Sequence, residues 1–199
     1  MTTVSPLRAE LLRKALHLGT ATLPLAWAAG LVTTAQLRIV LAGAVVVALV
    51  IEAARRASPD VARRFTAIVG GLLRDHEQHA ITGATWLAIA MAGVVWLVPE
   101  RAALAALWAA AVGDASAALV GRGLGARRGR PAGRKSWEGS AAAALSTAIG
   151  CAWLAGATWP QALLLGGAAA LAEYPHRPLD DNLRVATAVA LGAIVLGLR

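Results

Sequence analysis

Residues 37–54 read LRIVLAGAVVVALVIEAA, with Arg38 and Glu52 as the only charges near either end. A bilayer core about 30 Å thick needs about 20 mostly apolar residues to be crossed by a helix, so this stretch predicts a transmembrane helix. Comparable runs occur on both sides of it, at about 16–34, 80–98, 102–121, 139–157, 161–174 and 183–198, giving seven in all. Pro24 is expected to kink the first run, and Gly166-Gly167 weakens the sixth. Composition agrees: the 199 residues are 58% apolar and 15% charged, against roughly 45–50% and about 25% in ordinary globular domains. A water-soluble enzyme is close to excluded, and disorder more firmly so. Cys151, the one cysteine, cannot form an intrachain disulfide. The expectation is an all-α, polytopic membrane protein of about seven transmembrane helices, forming a single integral-membrane domain over 1–199.

Two longer polar stretches interrupt the runs. Arg55 to His79 carries Val61, Phe65, Ile68, Val69 and Leu72 at helical spacing, the pattern of an amphipathic helix lying in the interface. Arg122 to Trp137 is rich in Gly and Arg, has no periodicity and is expected to be a loop. Ala26-Trp27-Ala28 resembles a signal-peptide cleavage site, but cleavage there discards Glu10, Lys14 and His17, so the segment is expected to be retained.

The charge of +8, from 19 Lys and Arg against 11 Asp and Glu, is distributed unevenly. With the N-terminus placed in the cytoplasm, sixteen of those cations fall on the inner side and Arg38, Arg101 and Arg199 on the outer, as the positive-inside rule requires. Trp27, Trp96, Trp153 and Trp159 then lie near the outer interface. The acids follow the cations, since all but Glu100 lie at or near the inner face. Many of the basic loop residues need no role beyond topology and attraction to anionic headgroups. Asp114, set among apolar residues in the fourth run, is different: ionisable groups inside a membrane are costly, and by default they are functional. A transporter usually places polar groups near the midplane. A polar hemisphere at one face suits an enzyme better. The site is expected to face the cytoplasm from the cell membrane.

Individual motifs are loose. Gly113-Asp114-Ala115-Ser116 leads to Gly121-Arg122-Gly123-Leu124-Gly125, where glycines permit close backbone approach to phosphate and Arg122 brings charge. Small residues serve helix packing equally well. Gly133-Arg134-Lys135-Ser136-Trp137-Glu138-Gly139-Ser140 has the look of a Walker A loop, but Gly129 to Gly133 spans three residues rather than four and no strand precedes it. It still offers a basic loop entering a helix, with Ser136 and Ser140 near the helix start, as a seat for phosphate. His76-Glu77-Gln78-His79 lacks the H-E-x-x-H zinc spacing, and a solvated face is the plainer reading. Arg74 and Glu77 stand just before Thr82-Gly83, where Gly83 allows a helix or ligand to come close. Glu173-Tyr174-Pro175 and Asp180-Asp181-Asn182 bracket a turn fixed by Pro175 and Pro178, and their acids are placed to converge with Asp114 on a hard cation such as Mg²⁺.

In this order the residues resemble the CTP-dependent lipid-alcohol kinases: dolichol kinase, phytol and farnesol kinases, and the yeast-type CTP-dependent diacylglycerol kinase. The matching elements are Glu10-x-x-Arg13-Lys14-x-x-His17, Glu52-x-x-Arg55, Arg74-x-x-Glu77 with Gly83, and Gly113-Asp114-x-Ser116-Ala117 through Gly121-Arg122 and Gly125. Lys135-Ser136-x-Glu138-Gly139-Ser140, then Glu173 and Asp181-Asn182, complete the series. The resemblance implies transfer of the γ-phosphoryl of CTP to a lipid hydroxyl with a divalent metal, and distant kinship with phosphatidate cytidylyltransferase. On that reading Asp114 and Asp181 hold Mg²⁺, while Arg74, Arg122 and Lys135 neutralise the triphosphate with Ser116, Gly121, Ser136, Gly139 and Ser140. Glu138 or Glu173 accepts the hydroxyl proton, and Glu10, Lys14, His17, Glu52, Arg55, Glu77 and Asn182 support the site. The alternatives are CDP-lipid synthesis and a non-enzymatic transporter or scaffold. No nucleic-acid partner is expected, and the Ala- and Gly-rich helix faces permit a homodimer.

Overall fold

The computed structural model describes residues 6–78, 80–127, 136–173 and 179–199, and among them every regular element is a helix. They are α1 (Pro6–Gly19), α2 (Thr22–Ala28), α3 (Thr34–Ala57), α4 (Pro59–Val69), α5 (Gly83–Leu97), α6 (Glu100–Trp108), α7 (Asp114–Arg127), α8 (Trp137–Leu154), α9 (Trp159–Glu173) and α10 (Asp181–Val195). Short 3₁₀ turns at Gly70–Leu72 and Asp75–Gln78 lie between α4 and α5.

Side-chain caps set many of the boundaries. Thr33 and Gln36 form a reciprocal capping box at α3, and Ser58 accepts from Val61 N at the start of α4, with Pro59 at the position where its missing N–H is not needed. Thr82, Ser136 and Asp180 cap α5, α8 and α10 through Thr85 N, Gly139 N and Asn182 N. Each cap gives an orphan backbone donor of a helix start a partner.

The expected runs are altered in two places. The first is not one helix: α1 stops at Gly19, α2 covers seven residues, and Gly30 turns the chain at φ +71°. Pro24 has no N–H to give the carbonyl of Thr20, so the α1 ladder cannot pass through it. The expected loop from Arg122 is helical as far as Arg127, which extends the fourth run by nearly two turns. Between α6 and α7 the helix widens into a π turn at Ala109–Gly113. Among the described residues two helices, Thr34–Ala57 and Glu100–Leu124, are long and apolar enough to cross a membrane, whereas the apolar Gly83–Leu97 is shorter.

Contacts across the bundle fix the helix directions. Thr82 N reaches Glu52 Oε1 at 2.8 Å and Arg38 Nε reaches Val95 O at 3.1 Å, so α3 and α5 run antiparallel. Arg101 donates to Ala155 O and Gly156 O, joining the start of α6 to the end of α8, while Gln161 Nε2 donates to Leu196 O between α9 and α10. Ala102–Leu107 and Ala109–Ala111 are buried among α5, α8 and α10, which makes α6–α7 the central strut. Helices α3, α8 and α9 approach the outside. Ile39, Val46, Val47 and Val50 of α3 are exposed, as are Leu145, Trp153, Leu163 and Leu164.

Small residues let the helices come close. A Cβ on Gly166 would sit 2.2 Å from Ala144 O, and one on Gly150 would enter the indole of Trp108. Of the tryptophans expected at one interface, Trp96, Trp153 and Trp159 are exposed, but Trp27 is buried and donates to Thr34 Oγ1.

Candidate active site

Helix periodicity puts Glu10, Arg13, Lys14 and His17 on one face of α1. That face docks on α7. Lys14 Nζ lies 2.5 Å from Asp114 Oδ2, and His17 Nδ1 lies 3.2 Å from the same oxygen. Two turns along α7, Arg122 Nη2 is 3.0 Å from Glu10 Oε1. Arg13 pairs with Glu10 and donates to Leu72 O at 3.0 Å, tying α1 to the segment before α5. Burial tends to raise the Glu10 pKa, but the hydrogen bond and charge of Arg13, with Arg122 and Lys14, hold it below the usual carboxylate value.

Asp114 begins α7 directly after the π turn. The extra residue of such a turn rotates everything that follows, and π turns recur at functional sites. Gly113 brings this turn close to α8, since a Cβ there would stand 2.8 Å from Thr147 Oγ1. Thr147 is fully buried, and among the described residues its hydroxyl has no hydrogen-bond partner. Partnering by Lys14 and His17 is what makes a carboxylate tolerable so far along an apolar helix.

The third component comes from the segment before α5 and the start of α10. Burial opposes the charge of Arg74, but Asp181, Glu77, Asp114 and Glu10 surround it and raise its pKa above the ordinary value. Glu77 closes its own loop, accepting from Arg74 N and Gly83 N, each at 2.8 Å. Asp180 accepts from Asn182 N and Nδ2, and Asn182 Nδ2 also reaches Gly83 O at 3.3 Å. Burial, then the neighbouring Asp181 charge, push the Asp180 carboxyl up to about 6. Gly83 does permit a close approach: a Cβ there would lie 3.0 Å from Glu77 Oε1.

Glu52 and Arg55 form a buried brace behind this segment. Arg55 pairs with Glu52 and donates to the carbonyls of Glu77, Gln78 and Ala80. Glu52 Oε1 accepts from Thr82 N and Thr85 Oγ1. Their work is to hold the loop that carries Arg74 and Glu77.

The remaining expected site residues have other surroundings. Ser136 Oγ accepts from Gly139 N at 3.1 Å, and Gly121 and Gly139 face each other where α7 crosses α8. A Cβ on Gly139 would lie 2.7 Å from Ala117 O. These three residues therefore build a helix crossing. Ser116, Glu138 and Ser140 are half-buried near it, and Glu173 is half-buried in the last turn of α9. Glu138, Glu173 and Asp181 each have interaction partners. Lys135, His79 and Tyr174 to Pro178 lie outside the described residues.

Three contributors were not singled out as site residues in the sequence. Thr82 and Thr85 serve Glu52, and a Thr directly before an apolar run is a helix-cap signal that points to the first of them. Thr147 gives no signal, being one hydroxyl in an apolar helix. Among the described residues no three His, Cys, Asp or Glu side chains are grouped to hold one metal ion. Comparison of the chain with family models, curated proteins and solved structures finds no match.

Proposed function

We propose that the protein is a multi-pass membrane phosphotransferase that moves the γ-phosphoryl of CTP to the hydroxyl of a lipid alcohol at the cytoplasmic face. The observation that carries this reading is Asp114, a carboxylate within the central apolar helix, met by Lys14 and His17 and within electrostatic reach of Arg74. Such a cluster supplies both signs of charge where a triphosphate and a divalent cation must be balanced. The large exposed apolar residues on α3, α8 and α9 support immersion in lipid, since soluble monomers seldom show apolar patches of this extent. In this reading seven spans are completed by residues 16–34, across the end of α1 and α2, and by the shorter helices, with α4 in the interface.

The residues fit Mg²⁺. That ion usually takes one or two carboxylates and completes its shell with phosphate oxygens and water, so a cluster of three protein ligands is not needed. Asp180 is raised first by burial and then by the charge of Asp181, and a cation at this pair would relieve the second of these. When bound, the ion would be held by Asp114 and Asp181 and would supply neutralisation of the phosphate charge. Arg74 and Arg122 draw the triphosphate to the same end, together with Lys135, the residue before the α8 cap Ser136. Glu138 or Glu173 takes the lipid hydroxyl proton as its oxygen bonds to the γ-phosphorus, and the bridging β–γ bond breaks to release CDP.

The test incubates purified protein with Mg²⁺, a panel of lipid alcohols and CTP labelled at either the α or the γ position. Label from the γ position entering the lipid phase supports the kinase. Label from the α position entering it indicates CDP-lipid synthesis, and label in neither overturns both. ATP in parallel reads nucleotide choice.

A further inference from the structure

A second basic feature lies away from Asp114. The end of α3, the first two turns of α4 and Gln78 enclose a groove of about 660 Å³, lined by Arg55, Arg56, Arg63, Phe65 and Thr66 among others. Three guanidinium groups border it, and its floor includes an aromatic ring, with Arg55 Cζ 5.5 Å from the Phe65 ring centre. Arg55 is fixed in place by Glu52 and the carbonyls of Glu77, Gln78 and Ala80, whereas Arg56 and Arg63 are exposed. Asp60 offsets Arg63 and Glu52 offsets Arg55, and Arg56 stands 3.8 Å from Glu52 Oε2. The groove opens beside α4, a helix with no buried residue whose apolar Val61 and Ile68 are bare.

We propose that this groove holds the phosphate headgroup of an anionic bilayer lipid. Its position suits that occupant: α3 ends here after its long apolar run, and α4 turns off at Ser58 with an apolar edge left over. A lipid phosphate meets the arginines in the groove while its glycerol and upper chains lie along Phe65, Val61 and Ile68. Arginine forks bind phosphate oxygens in pairs, and an interfacial helix supplies the depth at which headgroups sit. The occupant is amphiphilic because the lining is; a free phosphate has no use for the apolar side.

The proposal rests on the membrane placement above and not on phosphoryl transfer. Its test is native mass spectrometry of the full chain released from micelles holding equal phosphatidylglycerol and phosphatidylcholine. One phosphatidylglycerol should be retained in preference. Arg56→Ala and Arg63→Ala should each weaken retention about fivefold, the share of one cation near an anionic surface. Arg64→Ala removes the same charge from a residue outside the lining and should leave retention unchanged. Equal loss with Arg64→Ala, equal retention of phosphatidylcholine, or displacement by inorganic phosphate at matching concentration overturns the proposal. If an alanine variant melts early, Arg56→Gln and Arg63→Gln decide, since they keep most of the side chain without the charge: weakened retention supports the groove and full retention refutes it. Lipid retention without CTP turnover leaves the groove standing and removes the kinase. Extraction of the chain into buffer without detergent removes the membrane placement itself.

Discussion

Asp114 and Glu10 show how much single residues carry. Lys14 and His17 both turn to Asp114 Oδ2, so Asp114→Asn keeps the shape and removes the charge that balances Lys14. Phosphoryl transfer should fall to background in Asp114→Asn while circular dichroism shows unchanged helix content; full activity would remove Asp114 from the metal. Glu10 stands in α1 ahead of the apolar run that begins at Leu16, and its pKa is held below the ordinary 4.5 by Arg13, Arg122 and Lys14 against the effect of burial. A depressed carboxylate adds stability that is complete above its unfolded value and is lost as pH falls through the folded one. Acid unfolding of the wild type should therefore steepen below about pH 4.5, by this linkage. Glu10→Gln should be less stable at neutral pH and should lack that part of the acid limb. Identical acid profiles for the two would mean that the Glu10–Arg122 pair contributes nothing.

The helices depend on what their glycines allow. Gly139 lies where α8 meets α7, and Gly139→Ala drives a methyl to within 2.7 Å of Ala117 O, a backbone atom that cannot swing aside. Overpacking of this kind costs on the order of 1–3 kcal/mol, read as a lower melting temperature in detergent. Gly93→Ala meets nothing within 4 Å and should be neutral or slightly stabilising; melting of both variants alike would deny the close crossing. The same glycine shows where the sequence misleads. Between Lys135 and Ser140 a small-residue motif reads as a phosphate loop and as a packing motif with equal ease, and Ser136, Gly139 and Gly121 spend their described contacts on packing. Positions set by local spacing were legible: the amphipathic α4, and the Glu10-x-x-Arg13-Lys14-x-x-His17 series that falls on one face of α1. The π turn before Asp114 was not, because a run of alanines fits either ladder and nothing in its spacing marks the extra residue. The break between α1 and α2 was half legible, since Pro24 announces a kink but not that Gly19 already ends the helix.

At the scale of the whole molecule, antiparallel helices sort the chemistry by end. The contacts of Glu52 with Thr82, of Asp114 with Lys14 and of Asn182 with Gly83 belong to one end, and those of Arg38 with Val95 and of Arg101 with Gly156 to the other. A linear reading of charge anticipated that sorting because each helix reverses the chain, so alternate loops fall on the same side. The consequence for orientation is that Arg64 and Thr158, both exposed and near opposite ends, should lie on opposite sides of the membrane. Cys151 is buried and gives a silent background, so single cysteines can be read against it. Right-side-out and inverted vesicles carrying Arg64→Cys or Thr158→Cys are treated with a thiol reagent that cannot cross the bilayer. Arg64→Cys should react only in inverted vesicles and Thr158→Cys only in right-side-out ones, as the excess of Lys and Arg at the first end requires. Reaction of both from the same side would break the alternating arrangement, and the reverse pattern would carry the Asp114 cluster to the outer face, away from the cytoplasmic nucleotide that the proposed transfer needs.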